Sequence, residues 1–284
     1  MKAMNVRHVR LAILALAMAG ATLALSPAIH AQGQNDSDVA SAVKAKLHGK
    51  QYSNVQVNSD PSGVVTLSGT VDLYEYKADA VRQAHKVDAV KAIRDEIQVG
   101  GTDVSDQEIE KKLGPELAYS REGYGNLFDA ILMHVQNGVV TLSGHAHDYP
   151  NRDAAVGLAA STPGVKEVID NIQVDPVSPM DDGIRMQVAR SIYSQPALNK
   201  YAINPVRPIR ITVQNGHVQL WGTVDNKMDR QIADMRAKQV PGVFSVQNNI
   251  QVAGQPSEQQ QKANPQMNQQ GNVQGTQQQH DSKK

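Results

Sequence analysis

Gly138-Val139-Val140-Thr141-Leu142-Ser143-Gly144 decides the reading of this chain, because it occurs three times. Gly63-Val64-Val65-Thr66-Leu67-Ser68-Gly69 is the first copy, and Gly216-His217-Val218-Gln219-Leu220-Trp221-Gly222 is a looser third. Alternating apolar residues between two glycines mark a short strand with one buried face. Each copy is followed at the same distance by Ile-Gln-Val: Ile97-Gln98-Val99, Ile172-Gln173-Val174 and Ile250-Gln251-Val252. Copies spaced 75 and 78 residues apart mean three related small units, not one large fold.

Around each copy the same order recurs. In the first unit, Asp36, Ser37 and Asp38 supply N-cap chemistry for a helix carrying Val39, Val43 and Leu47, which Gly49 ends. Strands follow at Val55–Val57 and Val64–Ser68, then an Ala-rich helix over Leu73–Val87 and a strand over Val90–Val99. The second unit opens on the capping box Ser105-Asp106-Gln107-Glu108, and Gly114-Pro115 is expected to stop that helix. An insertion, Glu116–Asn126, precedes the strand Ile131–Val135, and Asn137-Gly138 makes a tight hairpin turn. A helix over Asn151–Ser161 and a strand over Val168–Val174 complete the unit. After the stiff linker Asp175–Pro179, the third unit carries Ile184, Val188 and Ile192 on one helical stripe and an insertion over Tyr193–Pro208. Its strands are centred on Ile211, Val218 and Ile250. The fold class is therefore α+β, three tandem αββαβ modules over residues 35–100, 105–176 and 180–253. Residues 254–284, rich in Gln and Asn without hydrophobic period, read as a disordered tail.

Residues 1–31 read as a secretory signal peptide: Lys2, Arg7 and Arg10, an apolar run Leu11–Leu25, and small residues for cleavage after Ala28 or Ala31. That run of 15 residues is short for a bilayer span, which needs about 20. Cysteine is absent, which excludes disulfides, a catalytic thiol and thiolate metal sites. Formal net charge is zero, so a general electrostatic pull on nucleic acid is not expected. The charge is uneven, however. Residues 101–176 hold 5 basic and 12 acidic residues, whereas 177–253 hold 9 and 5.

The αββαβ order, the Gly-x-Val-x-Leu-x-Gly stretch and a Gly-Val before the last strand together resemble the BON domain family. The matching positions are Gly63, Val65, Leu67, Gly69; Gly138, Val140, Leu142, Gly144; Gly216, Val218, Leu220, Gly222; and Gly164-Val165 and Gly242-Val243. The first unit departs, with Ala89-Val90. The resemblance covers about residues 35–253 and implies a mixed three-stranded sheet with two helices on one face. It further implies a periplasmic location and a non-enzymatic role in envelope integrity through contact with phospholipid or envelope protein. It implies no cofactor. The residues leave a periplasmic adaptor or chaperone-like module open as the alternative.

Few residues offer chemistry. In the last strands Asp95, Asp170 and Asn248 fall in phase with core residues, and are expected to bond nearby backbone. No second acid or base recurs at a fixed offset, so these are not read as catalytic. His145, His147 and Asp148 lack a third placed ligand, so they are read as a solvated loop and not as a metal site. Trp221 is the sole tryptophan, and its parity opposes the core positions Val218 and Leu220. It should share an outer sheet face with Arg210, Thr212, His217, Gln219, Gln247, Asn249 and Gln251. Trp221, Arg210 and His217 are the candidate surface-binding residues, either for a lipid interface or partner or packed against a neighbouring unit.

Overall fold

The computed structural model describes residues 30–101, 103–119, 125–204 and 207–255. The expected signal peptide up to Ile29, and the expected tail from Pro256, lie outside the described residues. Module 1 contains α1 (His30–Lys46), β1 (Val55–Ser59), β2 (Val64–Val71), α2 (Tyr74–Ala84) and β3 (Ala92–Val99). Module 2 contains α3 (Asp106–Tyr119), α4 (Gly125–Phe128), β4 (Ala130–Gln136), β5 (Val139–Ala146), α5 (Tyr149–Ser161) and β6 (Glu167–Val174). Module 3 contains α6 (Pro179–Tyr193), α7 (Asn199–Ile203), β7 (Arg210–Gln214), β8 (His217–Val224), α8 (Lys227–Lys238) and β9 (Ser245–Val252).

Each module has its own three-stranded sheet. The repeated stretch is the middle strand, antiparallel to the strand before it and parallel to the one after. A parallel return needs a crossover, and α2, α5 and α8 supply it. The residues facing these helices are buried: Val65 and Leu67, Val140 and Leu142, Val218 and Leu220. Opposite them each crossover helix presents two buried alanines one turn apart: Ala80 and Ala84, Ala155 and Ala159, Ala233 and Ala237. Small residues at i and i+4 let the helix lie close on the sheet. This makes a compact helix–sheet contact built from aliphatic residues.

The second glycine of the stretch does not bound the strand, as the pattern suggests, but lies within it. Gly69, Gly144 and Gly222 lie inside β2, β5 and β8, with φ of 106°, 96° and 129°. A Cβ there would stand 2.0 Å from the Asn54 carbonyl oxygen, 2.1 Å from that of Ala130 and 2.6 Å from that of Pro208. Glycine is required because the neighbouring strand's backbone occupies the side-chain position. At the hairpins, Asn137 and Asn215 have φ of 55° and 51° ahead of glycines at 77° and 76°, as the Asn-Gly pairs predict.

Two helix boundaries differ from expectation. Helix α1 runs from His30, so Asp36–Asp38 fall within it and not at its start. Helix α3 runs through Pro115. An interior proline costs about 3 kcal/mol. Leu117 and Ala118 beyond it are buried, and their burial offsets that loss.

The modules touch. Tyr74 of module 1 packs on the core of module 2. Phe128, the last residue of α4 in module 2, is 4% exposed and belongs to the core of module 3. The Asp175–Pro179 segment is less a free linker than an anchor, since Asp175 is buried.

Candidate functional site

The strand registers define one outer-face row per module at matching positions. Module 1 has Gln56, Ser68 and Glu96; module 2 has Leu132, Ser143 and Asn171. Module 3 has Arg210, Trp221 and Asn249. One framework thus carries two rows without a cation or an aromatic ring and one with a cation, an indole and an amide. Thr212, Gln219 and Gln247 form the adjacent row, as their parity predicts.

This face of module 3 is not open. Ala130, Ile131 and Leu132 of β4 lie across part of it and leave a cleft of about 840 Å3. Arg210, Trp221 and Asn249 line the cleft, with Lys227 and Arg230 of α8 at its margin. Trp221 is half-buried there. Burial pushes the Arg210 guanidinium below its ordinary value, and the charges of Tyr193 and Asp129 oppose that fall only in part. Among the described residues nothing accepts a hydrogen bond from Arg210 Nε, Trp221 Nε1 or Asn249 Nδ2, although solvent does not reach these atoms. The Asn249 side chain accepts from Gln247 Nε2 at 3.2 Å.

His217 sits apart from this cleft, at the hairpin end of β8. Its Nδ1 lies 2.8 Å from Ser245 Oγ, and its ring meets the exposed Phe244 at 6.1 Å between centroids. The structure therefore joins Arg210 with Trp221 and separates both from His217. Parity places Asn249 on the face; that its amide is left without a partner depends on tertiary packing, which parity does not encode.

The in-phase polar residues of the last strands do bond the backbone two residues on. Asp95 accepts from Ile97 N at 3.0 Å, Asp170 from Ile172 N at 3.0 Å and Asn248 from Ile250 N at 3.1 Å. Each also engages the crossover helix at one equivalent position. That position is basic in all three copies (Lys77, Arg152 and Arg230), contrary to the expectation that no acid or base recurs at a fixed offset. Lys77 Nζ is 3.5 Å from Asp95, and Arg152 Nε donates to Asp170 at 2.7 Å. Asn248 Nδ2 donates to the Arg230 carbonyl at 3.1 Å. These contacts clamp helix to sheet, which is a folding role.

The His145–His147 segment is not a solvated loop. His145 Nδ1 lies 3.0 Å from Asp175 Oδ1. The His147 ring packs edge-on to Phe128 at 6.2 Å, and its backbone N–H donates to buried Asp129 at 2.6 Å. Asp175 and Phe128 tie both histidines to the contact between modules 2 and 3.

The BON domain model matches residues 35–101, 105–176 and 181–254. This chain belongs to the BON domain family. The match falls on the three αββαβ modules, including the first, where Ala89 has no positive φ in place of the left-handed Gly164 and Gly242. A curated relative, Osmotically-inducible protein Y of Escherichia coli (strain K12), is 34% identical over 113 residues. That alignment takes in 39% of this chain and 56% of the relative, so the chain spans about half the length of the relative it matches. Among solved structures, the C-terminal domain of CdsD, a structural protein of the type III secretion system of Chlamydia trachomatis, is 14% identical with a TM-score of 0.23, covering 76% of this chain and 97% of that one. The periplasmic domain of the inner-membrane protein PrgH of S. typhimurium is 13% identical with a TM-score of 0.19, covering 75% and 100%. Neither structural likeness bears on function.

Proposed function

We propose that this BON protein is an exported, non-enzymatic envelope protein of the periplasm. It contacts anionic phospholipid or another envelope surface through module 3 and supports envelope integrity under osmotic stress. The observation that carries this reading is the outer row of module 3. Modules 1 and 2 keep the framework and place uncharged or acidic side chains there, whereas module 3 places Arg210 and Trp221. The surplus of basic residues in 177–253 supports the same module as the one that meets an anionic surface, each cation near such a surface adding about 1 kcal/mol. The apolar run Leu11–Leu25 supports export, and the name of the relative supports the link to osmotic stress.

Flotation tests this reading. The mature chain should float with phosphatidylglycerol vesicles at low salt and stay behind with phosphatidylcholine. Equal behaviour with both vesicles overturns it.

The alternative, a periplasmic adaptor, is favoured by Phe244, which is 74% exposed beside His217 at the hairpin end of module 3. An aromatic presented this way suits a protein partner. Crosslinking to envelope proteins that is lost in Phe244→Ser, without retention on lipid, decides for it.

A further inference from the structure

The unpartnered donors of the cleft define its ligand more closely. We propose that the cleft between β4 and the outer face of β7–β8–β9 binds an oxyanion, a phosphate or carboxylate group, held by Arg210, Trp221 and Asn249. The inference deepens the membrane reading, and rests on it for assigning the contact to module 3.

Three features support it. First, the register sets Arg210, Trp221 and Asn249 side by side on adjacent strands, about 4.8 Å apart in sheet geometry. That spacing lets neighbouring side chains reach different oxygens of one tetrahedral or planar anion. Second, all three unsatisfied atoms are donors. Arginine and tryptophan side chains offer no acceptor at all. A buried donor left unmade is unfavourable, and three in one row call for a group that brings acceptors and none of its own donors. Third, the charge fits. Arg210, Lys227 and Arg230 border the cleft, and Asp129 is the acid that acts on Arg210. Asp129 accepts from the His147 backbone through Oδ1, and the three cations outnumber it at the cleft. A cleft of about 840 Å3 has room for a phosphate together with the group that carries it.

Solvent does not reach the three donor atoms although their residues line the cleft, so binding must turn the side chains toward the entrant. Trp221 moves with them, and as the sole tryptophan it reports the event without a label. The same oxyanion could come from a lipid headgroup or from a free phosphate, and the measurement separates the two.

The full mature chain is titrated with inorganic phosphate at constant ionic strength, and separately with phosphatidylglycerol vesicles, following Trp221 fluorescence. A saturable change is expected in at least one arm. Phosphate alone points to a soluble anion, and vesicles alone point to a headgroup. Arg210→Gln and Asn249→Asp should each weaken that response at least tenfold, while Gln56→Ala, in the matching row of module 1, leaves it unchanged. Trp221→Phe keeps a ring and loses the N–H. Calorimetry should show its affinity reduced with its melting temperature kept. Circular dichroism confirms that every variant is folded. No saturable response in either arm, or an undiminished response in folded Arg210→Gln and Asn249→Asp, overturns the site. Flotation that persists in Arg210→Gln sinks the site and spares the membrane reading. Phosphate binding without flotation does the reverse.

Discussion

Arg185 of module 3 donates through Nη2 to Asp175 at the end of module 2, at 3.0 Å, with side chains only 1% and 2% exposed. The same nitrogen donates to the Val213 carbonyl at 2.7 Å, and Nη1 donates to Asp182 at 2.5 Å. His145 approaches the other oxygen of Asp175. The junction of the two modules thus holds a buried ionic cluster beside the apolar contact of Phe128. Two ions this deep carry large desolvation costs, which their pairing and the extra hydrogen bonds of the guanidinium offset.

Arg185→Met should therefore be costly, since it strands Asp175. Loss of one partner of such a pair is expected to destabilise by about 3–5 kcal/mol. The double change Arg185→Met with Asp175→Asn should recover a large part of that. Urea unfolding followed by Trp221 fluorescence measures both. A single variant as stable as the parent would show that the ions are not coupled.

Phe128 makes a second prediction at the same junction. It is the last residue of α4 in module 2 but is buried in the core of module 3. Phe128→Ala should cost about 3–5 kcal/mol, and the loss should register at Trp221 in module 3. If instead module 2 alone loosens, seen as faster amide exchange confined to β4 and β5, the assignment of Phe128 fails.

The glycines separate two kinds of site. Gly144→Ala puts a methyl group 2.1 Å from the Ala130 carbonyl oxygen at a φ of 96°, so β4 must move. We expect a loss of several kcal/mol or no folded module 2. Gly157 lies in α5, where an added methyl group would meet open space, and Gly157→Ala should stabilise by about 0.5–1 kcal/mol. Thermal unfolding of the two variants, in opposite directions, is the check.

Module 1 should be sensitive to pH at both extremes through Tyr52 and Asp79, which share a 2.5 Å hydrogen bond. Burial, reinforced by the bond to Asp79, pushes the Tyr52 hydroxyl up from 10.0 to about 12. Its contribution is whole below pH 10 and is lost as pH rises toward 12. For Asp79, burial works upward, but hydrogen bonds from Tyr52 and Arg82 outweigh it and hold the carboxyl below its ordinary value. Its contribution is present above pH ~4 and is lost as pH falls through the lowered value. Scanning calorimetry across pH should show both limbs, and Tyr52→Phe should flatten the alkaline one. An unchanged alkaline limb in that variant would remove the pair from the account.

The module order is legible because each strand alternates and each turn carries its own chemistry, as at Asn137-Gly138 and Ser105–Glu108. The backbone bonding of Asp95, Asp170 and Asn248 follows from parity alone. Helix limits are less legible. Pro115 is a stop signal locally, and burial of Leu117, a tertiary effect, overrides it. The role of Gly69, Gly144 and Gly222 escapes the local pattern, because a close approach by another strand leaves no trace in it. Of the candidate site, parity brings Arg210 and Trp221 to one face. The cleft itself depends on β4 of the preceding module, and Phe128 and Arg185 set that placement through contacts far apart in sequence. His217 shares their parity but not their site, because parity fixes a side chain's face and not its distance along the strand.

The matching outer rows have an evolutionary consequence. The interior that folds each copy and the three positions that differ on its outside are separate sets of residues. A duplicated copy could therefore acquire a new specificity by exchanging Gln56, Ser68 and Glu96 for other side chains, with no penalty to its scaffold. Tandem copying here supplies raw material for division of labour.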